Sequence, residues 1–159
     1  MEVIEKQLGV VKGHLETIHA YTNDQNLVDN MHSKYRRGRA AALNMVITET
    51  GAGKAVTKAI TSLEGKLTSS AIRVPTPNGS LAILNLTLEK ETSLEYINNL
   101  MHNAAFDSEL VEQIRFSVNN ELVSSDIVGD SCPAIYDSPA TQVSNDGKSI
   151  VLYLSLIHI

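Results

Sequence analysis

Two consecutive stretches of alternating apolar and polar residues constrain the fold of this chain most strongly. They are KLTSSAIRVPTP, residues 66–77, and SLAILNLTLEKE, residues 80–91. Alternation with a period of two places every second side chain on the same face, which is the pattern of a strand with one buried face. Similar runs are GHLETIHAYT near the N-terminus and ELVSSDIVGD, PAIYDS and SIVLYLSLIHI towards the C-terminus. We therefore predict several strands, joined by turns such as the Asn-Asp-Gly turn at residues 145–147.

Three segments have the features of helices instead. Residues 1–8 place Val3, Ile4 and Leu8 on one side of a short helix that Gly9 ends. TGAGKAVTKAI, residues 50–60, begins with a threonine that can cap a helix. TSLEYINNLMHNAA, residues 92–105, opens with two candidate caps and carries one apolar face made of Leu94, Ile97, Leu100 and Met101. Because strands outnumber helices and occur in runs, we predict an α+β domain with a largely antiparallel sheet.

Composition excludes several classes of protein. The 159 residues suffice for one domain with a buried core, and a net charge of −5 argues against a nucleic-acid partner. No apolar run approaches the roughly 20 residues of a membrane span. The N-terminus has no secretory leader pattern, and a single cysteine favours a reducing compartment. We therefore expect a cytoplasmic protein, and we interpret the glycosylation sequons at Asn78 and Asn85 as chance.

Two short motifs suggest anion binding. TGAGKA resembles a nucleotide-binding loop, but Thr48 stands where that motif needs its first glycine, and Ala55 follows the lysine where a hydroxyl should bind magnesium. The glycine turn can still hold an anion at a helix start. The basic run KYRRGR, residues 34–39, could be a nuclear-localisation or RNA-binding patch, although no aromatic-rich platform accompanies it. The other interpretations are a solvated basic face and a set of arginines that converge on a phosphate. The run lies within residues 23–46, a connection long enough to indicate either a functional loop or disorder.

The titratable side chains do not form a self-contained site in the sequence. The five histidines, His14, His19, His32, His102 and His158, include no metal-binding pair, and Cys132 has no second cysteine, so we expect no metal site. Cys132 lies between a serine and a proline in a strand-like context, and we interpret it as a buried packing residue remote from His19. Residue pattern alone leaves open whether His19 is structural or catalytic.

Six motifs in one order carry a family resemblance. HAYTNDQ, RRGRAAALNMV, TETGAGKAV, GKLTSSAIRVPTPNGS, LVSSDIVGD and IYDSPAT resemble the catalytic domain of phosphorylating glyceraldehyde-3-phosphate dehydrogenases. The resemblance runs through residues 1–153. It implies the α+β fold of that domain, in which helices pack on one face of a largely antiparallel, mixed sheet. Erythrose-4-phosphate dehydrogenases share the architecture but match the segment after the histidine less well.

The resemblance implies roles for particular residues. His19 corresponds to the acid–base partner of a catalytic cysteine, and Thr22 with Arg73 to the pair that binds the substrate phosphate. Arg37, Thr50 and Gly51 correspond to the residues that bind the attacking inorganic phosphate. Residues 21–46 correspond to the loop that closes the cofactor pocket of a neighbouring subunit. The implied reaction converts glyceraldehyde 3-phosphate and inorganic phosphate to 1,3-bisphosphoglycerate in glycolysis, with NAD or NADP, in a homotetramer.

The chain also departs from the family pattern. The SCTTN motif with the nucleophilic cysteine, the dinucleotide-binding domain and its GxGxxG fingerprint are absent from the sequence. Residues 154–159, LSLIHI, do not match the family, and a frameshift or an adapter-derived sequence would explain such a tail. Met1 corresponds to a position inside a helix of the family. We therefore expect an inactive catalytic-domain fragment that binds no cofactor of its own. The alternative is a non-enzymatic phosphate-binding or subunit-assembly module.

Overall fold

The computed structural model describes residues 1–156. The three α-helices are α1 (Glu2–Leu8), α2 (Ala52–Ala59) and α3 (Leu94–Phe106). The first four strands are β1 (Val10–Ala20), β2 (Val46–Thr48), β3 (Leu67–Val74) and β4 (Ser80–Leu88). The remaining strands are β5 (Ile114–Ser117), β6 (Ala134–Asp137), β7 (Gln142–Val143) and β8 (Ser149–Leu156). Short 3₁₀ turns are found at Tyr35–Gly38, Ala41–Leu43 and Thr61–Leu63.

All eight strands form one mixed sheet, in the order β2-β3-β1-β4-β8-β6-β5, with β7 paired to β8 off this path. Within the described residues, β1 pairs with β3 and β5 pairs with β6 in parallel, whereas the other five pairings are antiparallel. The prediction of an α+β domain with a largely antiparallel sheet is confirmed.

One face of the sheet carries the core, because alternate side chains of the central strands point towards the helices. Apolar residues of β1, β4 and β8 share a single buried cluster with residues of α1 and α3, namely Ile4, Leu8, Leu15, Leu84, Ile97, Met101 and Leu152. Ala52 and Val56 of α2 pack against the same cluster. Helix α2 lies close to β3, since a Cβ added at Gly53 would approach Ser69 Oγ to 2.5 Å. The opposite face presents partly buried residues such as His14 and Ile18.

The sequence patterns predicted most of these elements and missed others. ELVSSDIVGD does not form the predicted strand. There Asp126 accepts a hydrogen bond from Val123 N through Oδ2 at 2.9 Å, and its own N–H donates to Val123 O, so the segment folds into turns. The short strands β2, β5 and β7 were not predicted. Leu154–Leu156 continue β8 in register with β4, whereas residues 157–159, which include His158, lie outside the described residues.

Candidate functional site

Two of the predicted site residues lie side by side on adjacent strands. In the parallel pair β1–β3, His19 is in register with Arg73. Partners in register project from the same face of a sheet. Arg73 is also opposite Val46 in β2, and His19 is opposite Ser80 in β4. Because Leu15 and Thr17 alternate with His19 on the core-bearing face, this row lies at the end of that face, beyond the apolar cluster.

Arg73 is a buried cation with free donors. Its exposed fraction is 8%, and its Nε and Nη1 have no hydrogen-bond partner among the described residues. Burial lowers its pKa, and so does the charge of Arg37, while Asp24 acts in the opposite direction. A buried guanidinium is costly unless its N–H groups find acceptors, and an oxyanion such as phosphate can accept from two of them at once through two of its oxygens. Arg73 is therefore suited to bind an anion.

Asp24 joins Arg73 to Arg37. Arg37 donates from Nη1 to Asp24 Oδ2 and from Nε to Thr48 Oγ1 at 2.9 Å. Arg73 Nη2 lies 3.9 Å from the same Asp24 oxygen, and His32 Nε2 lies 3.5 Å from Oδ1. Burial raises the pKa of Asp24. The hydrogen bond and the charge of Arg37, followed by the charges of His32 and Arg73, together lower the pKa by more than burial raises it, so the net shift is downward. Two guanidinium groups around one carboxylate leave the cluster positively charged.

Asp24 was not predicted as a site residue, although it lies inside the HAYTNDQ motif. An acidic residue two places after Thr22 and upstream of an arginine-rich segment was the available signal. The sequence did not show that one carboxylate would contact arginines from two separate elements, because that contact depends on how residues 21–46 fold back over β3.

His19 has a hydrogen bond that fixes its tautomer. Its Nδ1 lies 2.8 Å from the backbone oxygen of Ala20. A carbonyl oxygen only accepts, so Nδ1 carries the proton and Nε2 is left as the basic nitrogen. His19 lines a pocket of about 390 Å³ together with Asn78, Ser80 and Asp137. The imidazole is thus oriented as a proton acceptor with its basic nitrogen available.

The other three predicted residues lie near this row, but the described hydrogen bonds and ion pairs of residues 1–156 do not link their side chains to the arginines. Thr22 is exposed in the turn after β1 and lines an open cleft of about 640 Å³. Thr50 Oγ1 accepts from Ala52 N at 3.1 Å, and Gly51 precedes the first residue of α2. Thr50 and Gly51 follow Thr48, which Arg37 contacts, so the start of α2 lies next to the arginine cluster.

Cys132 does not line the pocket that contains His19. It is buried, and its Sγ contacts the backbone oxygens of Ala134 at 3.4 Å and Glu112 at 3.9 Å. It lines a pocket of about 530 Å³ with Phe106 and Phe116. Its thiol has carbonyl partners, which do not stabilise a thiolate, so the geometry gives it a packing role.

Within residues 1–156, no cluster of three or more His, Cys, Asp or Glu side chains is arranged to hold a metal ion. The same residues contain no helix of sufficient length and hydrophobicity to cross a bilayer.

Comparison with known proteins gives a consistent result. The sequence profile described as "Glyceraldehyde 3-phosphate dehydrogenase, C-terminal domain" matches residues 1–153. A "Glyceraldehyde-3-phosphate dehydrogenase-like protein" of Pseudomonas aeruginosa (strain UCBPP-PA14) is 53% identical over 97% of this chain, which covers 33% of that protein. Proteins named glyceraldehyde-3-phosphate dehydrogenase from Mycobacterium leprae and Streptomyces coelicolor are 46% and 42% identical, over 94% of this chain and 44% of theirs. The chain thus spans between a third and just under half of these relatives.

Proposed function

Because the chain belongs to the C-terminal domain family of glyceraldehyde 3-phosphate dehydrogenase, we propose that it supplies the phosphate-binding and acid–base part of that enzyme's active site. The whole protein would then oxidise glyceraldehyde 3-phosphate with inorganic phosphate and NAD or NADP, as a homotetramer of the glycolytic pathway. The observation that carries the proposal is the register of His19 with Arg73, which places a base beside a buried guanidinium.

The arrangement suits the chemistry of a phosphorylated aldehyde. Arg73, with its unpaired donors, would bind the substrate phosphate, assisted by Thr22 from the turn after β1. Arg37 and the start of α2 at Thr50 and Gly51 would bind the second phosphate, since a helix N-terminus favours anions. Asp24 would hold the two guanidinium groups in place. Two separate anion sites on either side of one reacting carbon are what a phosphorylating reaction needs.

His19 would act on a thiol that another part of the whole protein supplies. Its Nδ1–H is held by Ala20 O, so Nε2 can take the thiol proton and later return it. A thiolate is the required nucleophile, because free cysteine is mostly protonated near neutral pH. Cys132 does not meet this need, since its sulfur contacts backbone oxygens beside β6.

The residues of this chain do not fit a dinucleotide site. The glycine turn before α2 follows β2, but β2 is antiparallel to β3, and Val56 stands where the fingerprint needs its third glycine or an alanine. A nicotinamide cofactor supplies the hydride acceptor when bound. We therefore propose that the whole protein binds the cofactor with a separate domain.

The phosphate sites can be tested on the 159-residue chain by titration with inorganic phosphate, followed through amide chemical shifts. Arg73→Ala and Arg37→Ala should each weaken binding roughly tenfold, because a hydrogen bond to a charged group contributes about 1.5 kcal/mol or more. His19→Ala should change binding little. Arg39→Ala is the matched control, because Arg39 has the same charge in the same loop but pairs with Asp29 at the surface.

Equal weakening by Arg39→Ala would contradict the proposal, since the effect would then reflect only the net charge of the chain.

Enzyme activity needs a separate test. The chain alone should not reduce NAD with glyceraldehyde 3-phosphate, and turnover that Cys132→Ser abolishes would show that the nucleophile is misplaced. Reading the surrounding DNA for an in-frame SCTTN motif and a GxGxxG motif would distinguish the enzyme from the alternative phosphate-binding module.

A further inference from the structure

The turn between β3 and β4 contains the one asparagine of this sequence that glycine follows, Asn78-Gly79. Asn78 is exposed to solvent. An asparagine side-chain amide is open to attack by the backbone nitrogen of the next residue, which closes a five-membered ring. A Cβ on that next residue normally hinders the attack, and glycine removes the hindrance. The sequence therefore places the chemically most reactive asparagine pair of the chain in a water-accessible turn.

The local geometry brings the two reacting groups together. Gly79 N–H donates to Asn78 Oδ1 at 2.8 Å, so the nitrogen lies against the amide that it would attack. Gly79 O accepts from Ala20 N at 3.1 Å, which anchors the glycine to β1. Gly79 has φ +92°, and a Cβ built there would find its nearest neighbour, Ser124 Cβ, only at 3.9 Å. Gly79 is buried, but a side chain at its position would make only ordinary van der Waals contact with Ser124, and a rotation of the Asn78 amide about its Cβ–Cγ bond would turn the face of its carbonyl carbon towards the nitrogen.

We propose that Asn78 is a site of spontaneous deamidation. Gly79 N loses its proton and forms a bond to Asn78 Cγ, and the bond from Cγ to the side-chain nitrogen breaks, releasing that nitrogen as ammonia. Water then opens the cyclic imide by adding hydroxyl to one carbonyl carbon and a proton to the ring nitrogen. The product is aspartate or isoaspartate at position 78, and no electrons are transferred.

The modification would put a negative charge between two cavities. Asn78 lines both the pocket that contains His19 and the open cleft that contains Thr22. A carboxylate there repels an anion. This consequence rests on the proposed function, whereas the deamidation itself does not.

Peptide mapping by mass spectrometry of the folded 159-residue chain, incubated at mildly alkaline pH, tests the reaction. The peptide with Asn78 should show replacement of its amide by an acid, with both aspartate and isoaspartate forms, before the exposed Asn119 and Asn145 change. Asn78→Gln should show no conversion at this position, because its longer side chain disfavours the five-membered ring. Conversion that occurs in denaturant but not in the folded chain would overturn the proposal, since the folded turn would then protect the pair.

A second measurement separates the consequence from the reaction. Asn78→Asp should weaken phosphate binding several-fold, because its carboxylate repels the anion. If Asn78 deamidates but phosphate binding does not change, the proposal of a modification site is supported and the proposed anion site is contradicted.

Discussion

At the scale of single residues, the buried polar groups fall into two kinds. Tyr136 is fully buried, yet its hydroxyl donates to Asn98 Oδ1 at 2.7 Å and lies 2.7 Å from the hydroxyl of Thr141. Burial is the main cause that raises the pKa of Tyr136 to about 12. Arg73, by contrast, is buried with Nε and Nη1 unpaired within the described residues. A satisfied buried network stabilises a fold, whereas free donors on a buried cation mark a position shaped for binding.

Tyr136→Phe should lower the free energy of unfolding by about 1–2 kcal/mol, because Asn98 and Thr141 lose a buried partner while the ring volume stays. Denaturant unfolding measures the change. Tyr35→Phe is the control, because Tyr35 is 90% exposed, and it should stay within about 0.5 kcal/mol. Equal stability of the two variants would show that the Tyr136 network contributes nothing net.

At the scale of elements, the helices are too short to be stable alone and depend on packing against the sheet. Helices α1 and α2 have 7 and 8 residues, and α3 has 13. Isolated helices below about 12–15 residues are marginal in water. Helix α3 has a side-chain cap, because Ser93 Oγ accepts from Tyr96 N at 3.1 Å. The predicted cap at Ser93 or Thr92 is therefore confirmed for Ser93. The threonine predicted to cap α2 is not its cap residue: Gly51 takes that position without a side-chain cap bond, and Thr50, one place earlier, accepts from Ala52 N.

Ser93→Ala should lower the free energy of unfolding by about 1 kcal/mol, because Tyr96 N–H loses its acceptor at the start of α3. Ser93→Asn, which keeps a side-chain oxygen, should restore most of that stability. Thermal or denaturant unfolding measures both variants. The cap would be unimportant if the alanine and asparagine variants unfolded together.

At the scale of the whole molecule, the sheet order sets which segments are stable. β1 lies between β3 and β4, and β4 lies between β1 and β8, so both strands are bonded on two sides. β2 and β5 lie at the ends of the order. The site therefore combines residues of paired strands, His19 and Arg73, with residues outside the strands, Asp24 and Arg37.

Hydrogen exchange should reflect this order. Amides in the centres of β1 and β4, such as those of Leu15 and Leu84, should exchange more slowly than those of β2 and of residues 21–45, because opening the central strands requires disruption of the core. Backbone exchange measured by NMR on the 159-residue chain tests the prediction. Faster exchange at Leu84 than at Ile47 would contradict the sheet order.

The sequence by itself determined the local elements. Period-two alternation located β1, β3, β4 and β8, helical spacing and caps located α1, α2 and α3, and the motifs identified the family. These patterns are readable because they reflect how one segment presents its side chains to a buried face. The patterns failed at ELVSSDIVGD, where side-chain hydrogen bonds replaced the ladder, and at strands as short as β2.

Only the tertiary structure decided how the candidate site is assembled. The parallel register of β1 with β3 puts His19 beside Arg73, and the folding of residues 21–46 brings Asp24 to both Arg37 and Arg73. It also puts Cys132 in a different pocket from His19 and places Asn78 on the walls of two cavities. Such contacts join segments distant in the chain, and each depends on strand pairing and loop closure in the complete fold. Periodicity within one segment carries no information about which other segment that segment will meet.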